Sequence, residues 1–352
     1  MPAWATASSA SGALVRAASR ASGLPVRRPV PTSLLSASRY AAVLARARNR
    51  DYPAARRRDD ATVESLLGLT TSTVRMPRAR AWYDAAARRL FLERAPRPTR
   101  RAVLNEVVRA LVDQSYNLRR LTTLHVRDHD GWLAARGIVD GTAAHASGLR
   151  AGPLRGTPFD RFTQLEASIG TGPGRVLAAQ LRSIGGSAAV RSALHTFPRT
   201  TEQLLHIDKF LEREPALPVP LPQRAGPATL ERAETFGELD VRNLLQAFGV
   251  PSAVTAADGW GGGRVALYAD GNDRLAAIVL RWDSADEALE WQTATTQYVA
   301  AAFRGAAART CPPLDRCWTG AGEIAAGVLG TTSVLVSGHD SASVATALLT
   351  LK

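Results

Sequence analysis

The chain has 352 residues, enough for about two domains, and its hydrophobic content of 45% is that of a globular protein. No stretch approaches the roughly 20 uninterrupted apolar residues of a membrane span, so we expect no such span. The formal net charge of +13 comes almost wholly from scattered arginines without interleaved glycines and aromatics, and this pattern argues against a nucleic acid as the partner.

The first 222 residues are expected to form a tail and a helical domain. Residues 1–22 are rich in alanine and serine, and we expect a disordered tail there. Over 99–121, apolar residues recur at steps of three and four and predict a long amphipathic helix. The other elements predicted for the helical domain, 23–222, are an extended segment over 23–31, helices over 36–49 and 59–67, two strands within 81–93, and helices over 130–146, 159–168, 173–184, 186–194 and 200–213.

A change in sequence pattern marks a second domain. Four prolines within 215–222 predict a stiff, extended linker. The elements predicted beyond it, over 223–352, are helices at 237–248, 284–304 and 340–350 and strands at 264–269, 275–282, 322–328 and 333–336. The expected fold class is a mainly α domain followed by a smaller α+β domain with an antiparallel sheet.

The two cysteines, Cys311 and Cys317, are six residues apart. Two thiolates cannot hold a structural zinc ion unaided, and the spacing differs from that of thioredoxin-like motifs. We favour a local disulfide, which would stabilise the fold by only about 2 kcal/mol and would indicate an oxidising compartment.

The long helix contains the stretch Asn105-Glu-Val-Val-Arg109-Ala-Leu-Val-Asp113-Gln, followed by Leu118. This stretch resembles the zinc helix of a secreted, gluzincin-like family of bacterial metallopeptidases, whose pattern there is His-Glu-x-x-His-Ala-Leu-x-Asp-Gln. Asn105 and Arg109 stand at the two histidine positions, whereas the glutamate is retained as Glu106.

Asn105 and Arg109 replace the two histidines that would bind zinc. In His-Glu-x-x-His, the spacing of four residues puts two imidazoles on one helix face, and the glutamate is the general base for the metal-bound water. Asparagine is a poor zinc ligand, and arginine is a permanent cation that repels the metal. We therefore expect zinc to be absent, with no cofactor in its place. The resemblance makes Glu106 a vestigial general base.

Further segments extend the resemblance over about residues 24–340. Asp140, followed by Gly-Thr, stands where the family has an acidic third ligand. Residues 198–206, which end at His206, and the Gly-rich segment 259–262 are similar to later segments of the same family. The resemblance implies a zincin-type helical domain whose vestigial metal site is Asn105, Arg109 and Asp140, with His206 as a candidate contact in the former substrate cleft.

Two alternatives remain open at this site. Arg109 lies one helical turn from Glu106, so it either neutralises Glu106 and Asp140 or points into solvent. A rearranged metal site could instead draw on His125, His129 and His145, although surface or capping histidines are the interpretation we favour.

These observations favour a catalytically inactive metallopeptidase homologue that binds a protein or peptide ligand, secreted or at the cell envelope by resemblance and otherwise cytoplasmic. One alternative is an active metal-dependent hydrolase with rearranged ligands. The other is a basic adaptor for an anionic polymer, acting through the N-terminal third, where 23 arginines face eight acidic residues within the first 120 positions.

Overall fold

The computed structural model describes residues 8–70, 79–121, 124, 128–311, 314–319 and 323–351, without the side chains of 309–311, 314, 315 and 319. Within these ranges, an N-terminal part made mainly of helices is followed by an α+β part with one large antiparallel sheet, as the sequence predicts. Among the described helices, none has the length and apolar character needed to cross a membrane.

The N-terminal part contains a small sheet and most of the helices. Its strands are β1 Ser8–Ser9, β2 Pro31–Leu35, β3 Ala81–Asp84 and β4 Arg89–Glu93, in the order β1-β2-β4-β3. Its helices are α1 Gly12–Ser22, α2 Ala37–Asp51, α3 Ala54–Leu66, α4 Arg100–Tyr116, α5 His129–Ser147, α6 Pro158–Ala167, α7 Pro173–Thr196, α8 Thr201–Leu205 and α9 Ile207–Glu212. The strands β3 and β4 lie within the predicted range 81–93. The long helix α4 begins near its predicted start but ends at Tyr116 rather than at 121, because Asn117 adopts a left-handed conformation.

The prediction of a disordered tail over 1–22 is wrong for α1. Ser11 caps this helix by accepting a hydrogen bond from the amide of Leu14. Val15 and Ala18 are buried against the core that also contains α4 and α5. Alanine is the strongest helix former, so an alanine-rich segment that can bury one face becomes a helix rather than a tail.

Helices α4, α5 and α7 form the centre of the N-terminal core. Helix α5 packs against both α4 and α7, and its inward-facing side chains are completely buried. Inside α7, Gly185 and Gly186 have non-helical backbone angles. This interruption explains why the sequence predicts two helices, ending at 184 and beginning at 186.

The C-terminal part is an eight-stranded antiparallel sheet in the order β5-β6-β7-β8-β12-β11-β10-β9. Its strands are β5 Arg224–Ala225, β6 Ala228–Thr235, β7 Trp260–Asp270, β8 Asp273–Trp282, β9 Ala307–Cys311, β10 Leu314–Thr319, β11 Glu323–Leu329 and β12 Thr332–Gly338. Its helices are α10 Glu238–Ala247, α11 Ala285–Ala302 and α12 Ser341–Leu351. Strands β7, β8, β11 and β12 match predicted strands, whereas β5, β6, β9 and β10 were not predicted.

The glycine-rich segment 259–263 is largely part of a strand, because Trp260 to Gly263 form the start of β7. The linker 215–222 runs beside this end of the strand, and the amide of Leu217 donates to the carbonyl of Gly261. A Cβ at Gly262 would lie 2.2 Å from the carbonyl oxygen of Leu217. Glycine is therefore needed here for close backbone approach rather than for a turn.

Several contacts join the two parts. Arg56 of α3 pairs with Glu234 of β6 at 2.6 Å. The hydroxyl of Tyr298 donates to the carbonyl of Leu67 at 2.7 Å. On α5, the backbone amide of Asp130 donates to the hydroxyl of Thr235 in β6 at 2.9 Å. These contacts hold α3 and α5 against the first strands of the large sheet, where a cavity lies between the two parts.

Candidate functional site

Glu106 is a buried carboxylate on α4, with three hydrogen-bond donors. The amide of Tyr83 in β3 donates to Oε2 at 2.8 Å, and the side-chain amide of Asn105 donates to Oε1 at 3.0 Å. Arg109 Nη1 donates to Oε2 at 3.3 Å. Burial raises the pKa of Glu106, and the neighbouring Arg109 and the two amide donors oppose that rise.

Arg109 lies between two carboxylates. Its Nη1 is 3.3 Å from Oε2 of Glu106 on the same helix, and its Nε is 3.0 Å from Oδ1 of Asp140 on α5. Burial alone would lower the pKa of Arg109, but Asp140 and Glu106 outweigh it and raise the pKa. Of the two interpretations of Arg109, the ion pair with Glu106 and Asp140 matches these distances, and a solvated arginine does not.

Asp140 is held by a second arginine. Arg136, one turn earlier on α5, places its Nε 3.3 Å from Oδ2 of Asp140. The residue that follows, Gly141, allows α5 to approach α7 closely, because a Cβ there would lie 2.1 Å from the carbonyl oxygen of Gly174. Asp140 thus takes its place at a tight helix crossing, with one guanidinium on each carboxylate oxygen.

The side chain of Asn105 is also hydrogen-bonded, through both its nitrogen and its oxygen. Its amide nitrogen donates to Glu106, and its oxygen accepts a hydrogen bond from the hydroxyl of Ser147 at 3.3 Å. The two histidine positions of the motif are therefore occupied by side chains that bond to neighbouring protein groups. Each of the vestigial positions at Asn105, Arg109 and Asp140 touches at least one other polar side chain of this cluster.

The remaining motif residues support the helix. Asp113 is buried and accepts a hydrogen bond from the hydroxyl of Tyr83 at 2.7 Å and another from the amide of Leu118 at 2.8 Å. The side-chain oxygen of Gln114 accepts from the amides of Arg27 and Arg28. These contacts fix the end of α4 and the N-terminal extended segment without reaching into the cavity.

A cavity of about 450 Å³ lies in front of this cluster, between the helices of the N-terminal part and strands β6 and β7. Arg109, Arg136 and Asp140 line it, and Glu106 lies behind them. Its apolar and aromatic lining comes from Val63, Leu67, Leu69, Trp82, Leu118, Leu121, Trp132, Val139, Phe162, Phe236, Leu244 and Val265. This volume and mixed lining are typical of sites that bind small molecules or side chains.

The rearranged metal site does not assemble from the described histidines. His129 begins α5 and His145 lies in its last turn, so their backbones are about 24 Å apart at 1.5 Å per residue. His129 Nε2 lies 4.0 Å from Oδ1 of Asp240. Burial, followed by neighbouring arginines, lowers the pKa of His145. His125 lies outside the described residues.

His206 is not among the residues that line the cavity, so the expected cleft contact is not present. Its Nε2 lies 2.9 Å from Oε1 of the buried Glu238 and 3.6 Å from Oδ1 of the exposed Asp258. The hydrogen bond with Glu238 raises the pKa of His206. Because His206 precedes the linker and its two partners follow it, this group connects the two parts of the chain.

Cys317 is buried in β10 and disulfide-bonded. The chain has one other cysteine, Cys311, whose side chain lies outside the described part of the structure. Strands β9 and β10 are antiparallel neighbours, so the two cysteine positions belong to adjacent strands. The local pairing inferred from the sequence stays a prediction that thiol chemistry can test.

Among the cavity residues that sequence reasoning did not identify are Arg136, Glu64 and Glu166. Arg136 could have been found from its spacing of four residues to Asp140 on a predicted helix. Glu64 on α3 and Glu166 on α6 have no motif, and only the packing of those helices brings them to the cavity wall. Whether these two carboxylates have a cationic partner depends on side chains from other helices. The spacing of residues within one segment of the sequence does not predict such contacts.

Comparison with known proteins adds one match. Residues 227–347 match a family model described as a domain of unknown function (DUF8575), about a third of the chain. The matched segment begins just before β6 and ends within α12, so it corresponds to the large sheet and its helices. No curated protein and no solved structure matches the chain.

Proposed function

We propose that this chain is a catalytically inactive homologue of zincin-type metallopeptidases that binds a peptide segment in the cavity between its two parts. The observation that carries the proposal is the guanidinium of Arg109 between Glu106 and Asp140. In the metallopeptidase family that the sequence resembles, the corresponding position is a histidine ligand to zinc.

The chemistry of these groups supports the loss of catalysis. A general base must be an available carboxylate close to a metal-bound water, but Glu106 accepts three hydrogen bonds from the protein. Guanidinium groups have no free electron pair for a metal and do not lose their proton in proteins. Two arginines, Arg109 and Arg136, neutralise Asp140, so this site supplies its own cations.

The cavity supports a retained binding function. Its wall combines apolar surface with charged and aromatic groups, and it lies beside the vestigial site. Trp82 and Trp132 line it, so a bound ligand would change their fluorescence. For location, we propose secretion or the cell envelope, in line with the resemblance and with the disulfide-bonded Cys317.

Binding without cleavage tests this proposal. A mixed pool of unstructured peptides is incubated with the protein, and retained and cleaved peptides are identified by mass spectrometry. We expect a subset to be retained and none to be cut. Ala86→Trp, which fills part of the cavity wall, should abolish retention, whereas Ala87→Trp on the exposed neighbour outside the wall should not.

Two results would contradict the proposal. Cleavage that disappears in Glu106→Gln would mean that the site is an active hydrolase. Failure to retain any peptide, with the protein folded, would mean that the cavity has no peptide-binding role.

A further inference from the structure

The cavity wall contains more acidic than basic side chains. The protein has a formal net charge of +13, yet the wall of this cavity contains eight carboxylates and five guanidinium groups. The surplus of negative charge is thus local, and it lines the cavity in which we propose that a peptide binds.

Each of the five arginines in the wall has a carboxylate partner within 4.0 Å. The pairs are Arg50 with Asp51 and Asp84, Arg56 with Asp60 and Glu234, Arg109 with Glu106 and Asp140, Arg136 with Asp140, and Arg232 with Asp59, Asp60 and Glu234. At every described guanidinium of the wall, an anionic ligand would therefore meet a carboxylate that is already paired with it.

Two carboxylates differ from the rest. Glu64 and Glu166 line the cavity, and within the part of the chain that the structure describes the carboxylate of neither takes part in a hydrogen bond or an ion pair. Burial is the largest cause that raises the pKa of each, followed for Glu64 by Asp60 and for Glu166 by the opposing effect of Arg136. Both are therefore partly desolvated while remaining reachable from the cavity.

Glu64, Glu166 and Tyr52 line the same cavity, and the part of the wall that they form is called the corner below. Each carboxylate raises the pKa of Tyr52, whose hydroxyl donates to Asp60, and Glu166 raises the pKa of Glu64. Glu166 of α6 thus lies close enough to Glu64 of α3 to raise the pKa of Glu64. Apolar side chains of the wall, including Val63, lie beside this corner.

We infer that this corner receives an organic cation, a guanidinium or primary ammonium group of the bound ligand, between Glu64 and Glu166. The inference rests on the proposed peptide-binding function and names the basic side chain that the peptide would insert. Unpaired, partly buried carboxylates are costly, and a cation from the ligand would remove that cost. The apolar wall would contact the aliphatic part of an arginine or lysine side chain.

The spacing of the groups favours an organic cation over a metal ion. Among the described residues, sets of three metal-binding side chains with converging atoms occur at His206, Glu238 and Asp258 and at Glu202, Glu214 and Asp283. Neither set is in this corner. A metal ion needs oxygen atoms at about 2.0–2.6 Å, whereas a guanidinium can bridge carboxylates that are further apart.

The test uses four acetylated and amidated pentapeptides, Gly-Gly-X-Gly-Gly, in which X is arginine, lysine, glutamine or glutamate. Binding is followed by the fluorescence of Trp82 and Trp132 and by calorimetry. We expect the arginine and lysine peptides to bind about tenfold more tightly than the glutamine peptide, as one charge-assisted contact predicts, and the glutamate peptide to bind most weakly. In Glu64→Gln/Glu166→Gln, that preference should fall below about twofold.

The matched control is Glu231→Gln, which removes the same charge from β6 outside the cavity and should keep the preference. Equal affinity for the arginine and glutamine peptides would overturn the inference while leaving peptide binding intact. Competition by Mg²⁺ or Ca²⁺ at equal concentration would assign the corner to a metal ion. Absence of binding by all four peptides and by the mixed pool would overturn both the inference and the proposed function.

Discussion

Arg109 and Glu106 lie one turn apart on the same helix, with 3.3 Å between Nη1 of the arginine and Oε2 of the glutamate. Arg109 also reaches Asp140 on the neighbouring helix at 3.0 Å. The charge of Arg109 thus links two helices of the core and neutralises a carboxylate on each. Arg109 therefore stabilises the fold, and it stands at the position of a histidine zinc ligand in the family that the sequence resembles.

Removing this charge should destabilise the protein in a pH-dependent way. Arg109→Ala leaves Glu106 and Asp140 without their shared cation, and breaking a buried pair typically costs about 3–5 kcal/mol of unfolding free energy. Burial already raises the pKa of Glu106, and losing Arg109 should raise it further. Since the folded state then binds the proton more tightly than the unfolded state, part of the stability should return as pH falls toward 5.

Thermal or denaturant unfolding across pH 5–8 measures this effect. Arg101→Ala, an exposed arginine on the same helix, is the control and should change the unfolding free energy by less than about 0.5 kcal/mol. A change of below about 1 kcal/mol in Arg109→Ala, independent of pH, would show that the ion pair contributes no more than a surface pair.

Restoring the two imidazoles should create a zinc site. Asn105→His with Arg109→His places two histidines four residues apart beside Glu106, and Asp140→Glu lengthens the third ligand. Arg136 would still lie 3.3 Å from Asp140, so Arg136→Gln should strengthen zinc binding further. Calorimetric titration with zinc measures the gain.

The single change Asn105→His serves as the control for this restoration, because one imidazole with Arg109 in place should bind little zinc. If the double and triple variants fold but gain no zinc, the correspondence between this helix and a zinc helix is wrong.

The carboxylate of Glu64 should reduce stability at high pH. Burial, with Asp60 and Glu166, raises its pKa to about 7. A carboxylate whose pKa is raised in the folded state favours folding less as pH rises through that value. Glu64→Gln should therefore stabilise the protein by about 1–3 kcal/mol at pH 8 and have little effect at pH 5. Equal melting temperatures of the two proteins at pH 8 would mean that Glu64 is solvated.

The disulfide has its own chemical test. Denatured, unreduced protein from an oxidising compartment should show no reactive thiol, because Cys317 is disulfide-bonded and Cys311 is the other cysteine of the chain. After reduction, both should react. Two reactive thiols before reduction would contradict the pairing and would weaken the assignment to the cell envelope.

Features that depend on local spacing could be predicted from the sequence, whereas features that depend on contacts between distant segments could not. The spacing of Glu106 and Arg109 on a periodic helix is local, so their contact could be predicted, and the motif supplied Asp140. Strand β6 was missed because Leu230 is its only large apolar residue and its charged residues interrupt any apolar alternation, whereas its pairing with β7 determines its conformation.

The cavity itself could not be predicted. Glu64 and Glu166 come from helices about 100 residues apart in the chain, and only tertiary packing brings them to one wall, where neither carboxylate has a partner among the described residues. The same holds for His206, whose motif suggested a cleft contact, whereas packing directs it to Glu238. Side-chain partners across domains are set by the assembly of helices and sheet, which one sequence does not specify.

The zinc content of the purified protein tests the central claim most directly. After dialysis against metal-free buffer, elemental analysis should find far less than one zinc per chain, because the guanidinium of Arg109 lies between Glu106 and Asp140 where a catalytic zinc would need ligands. Near-stoichiometric zinc that is lost in Asp140→Asn or His129→Gln, but kept in the control His195→Gln, would contradict the account of an inactive metallopeptidase homologue.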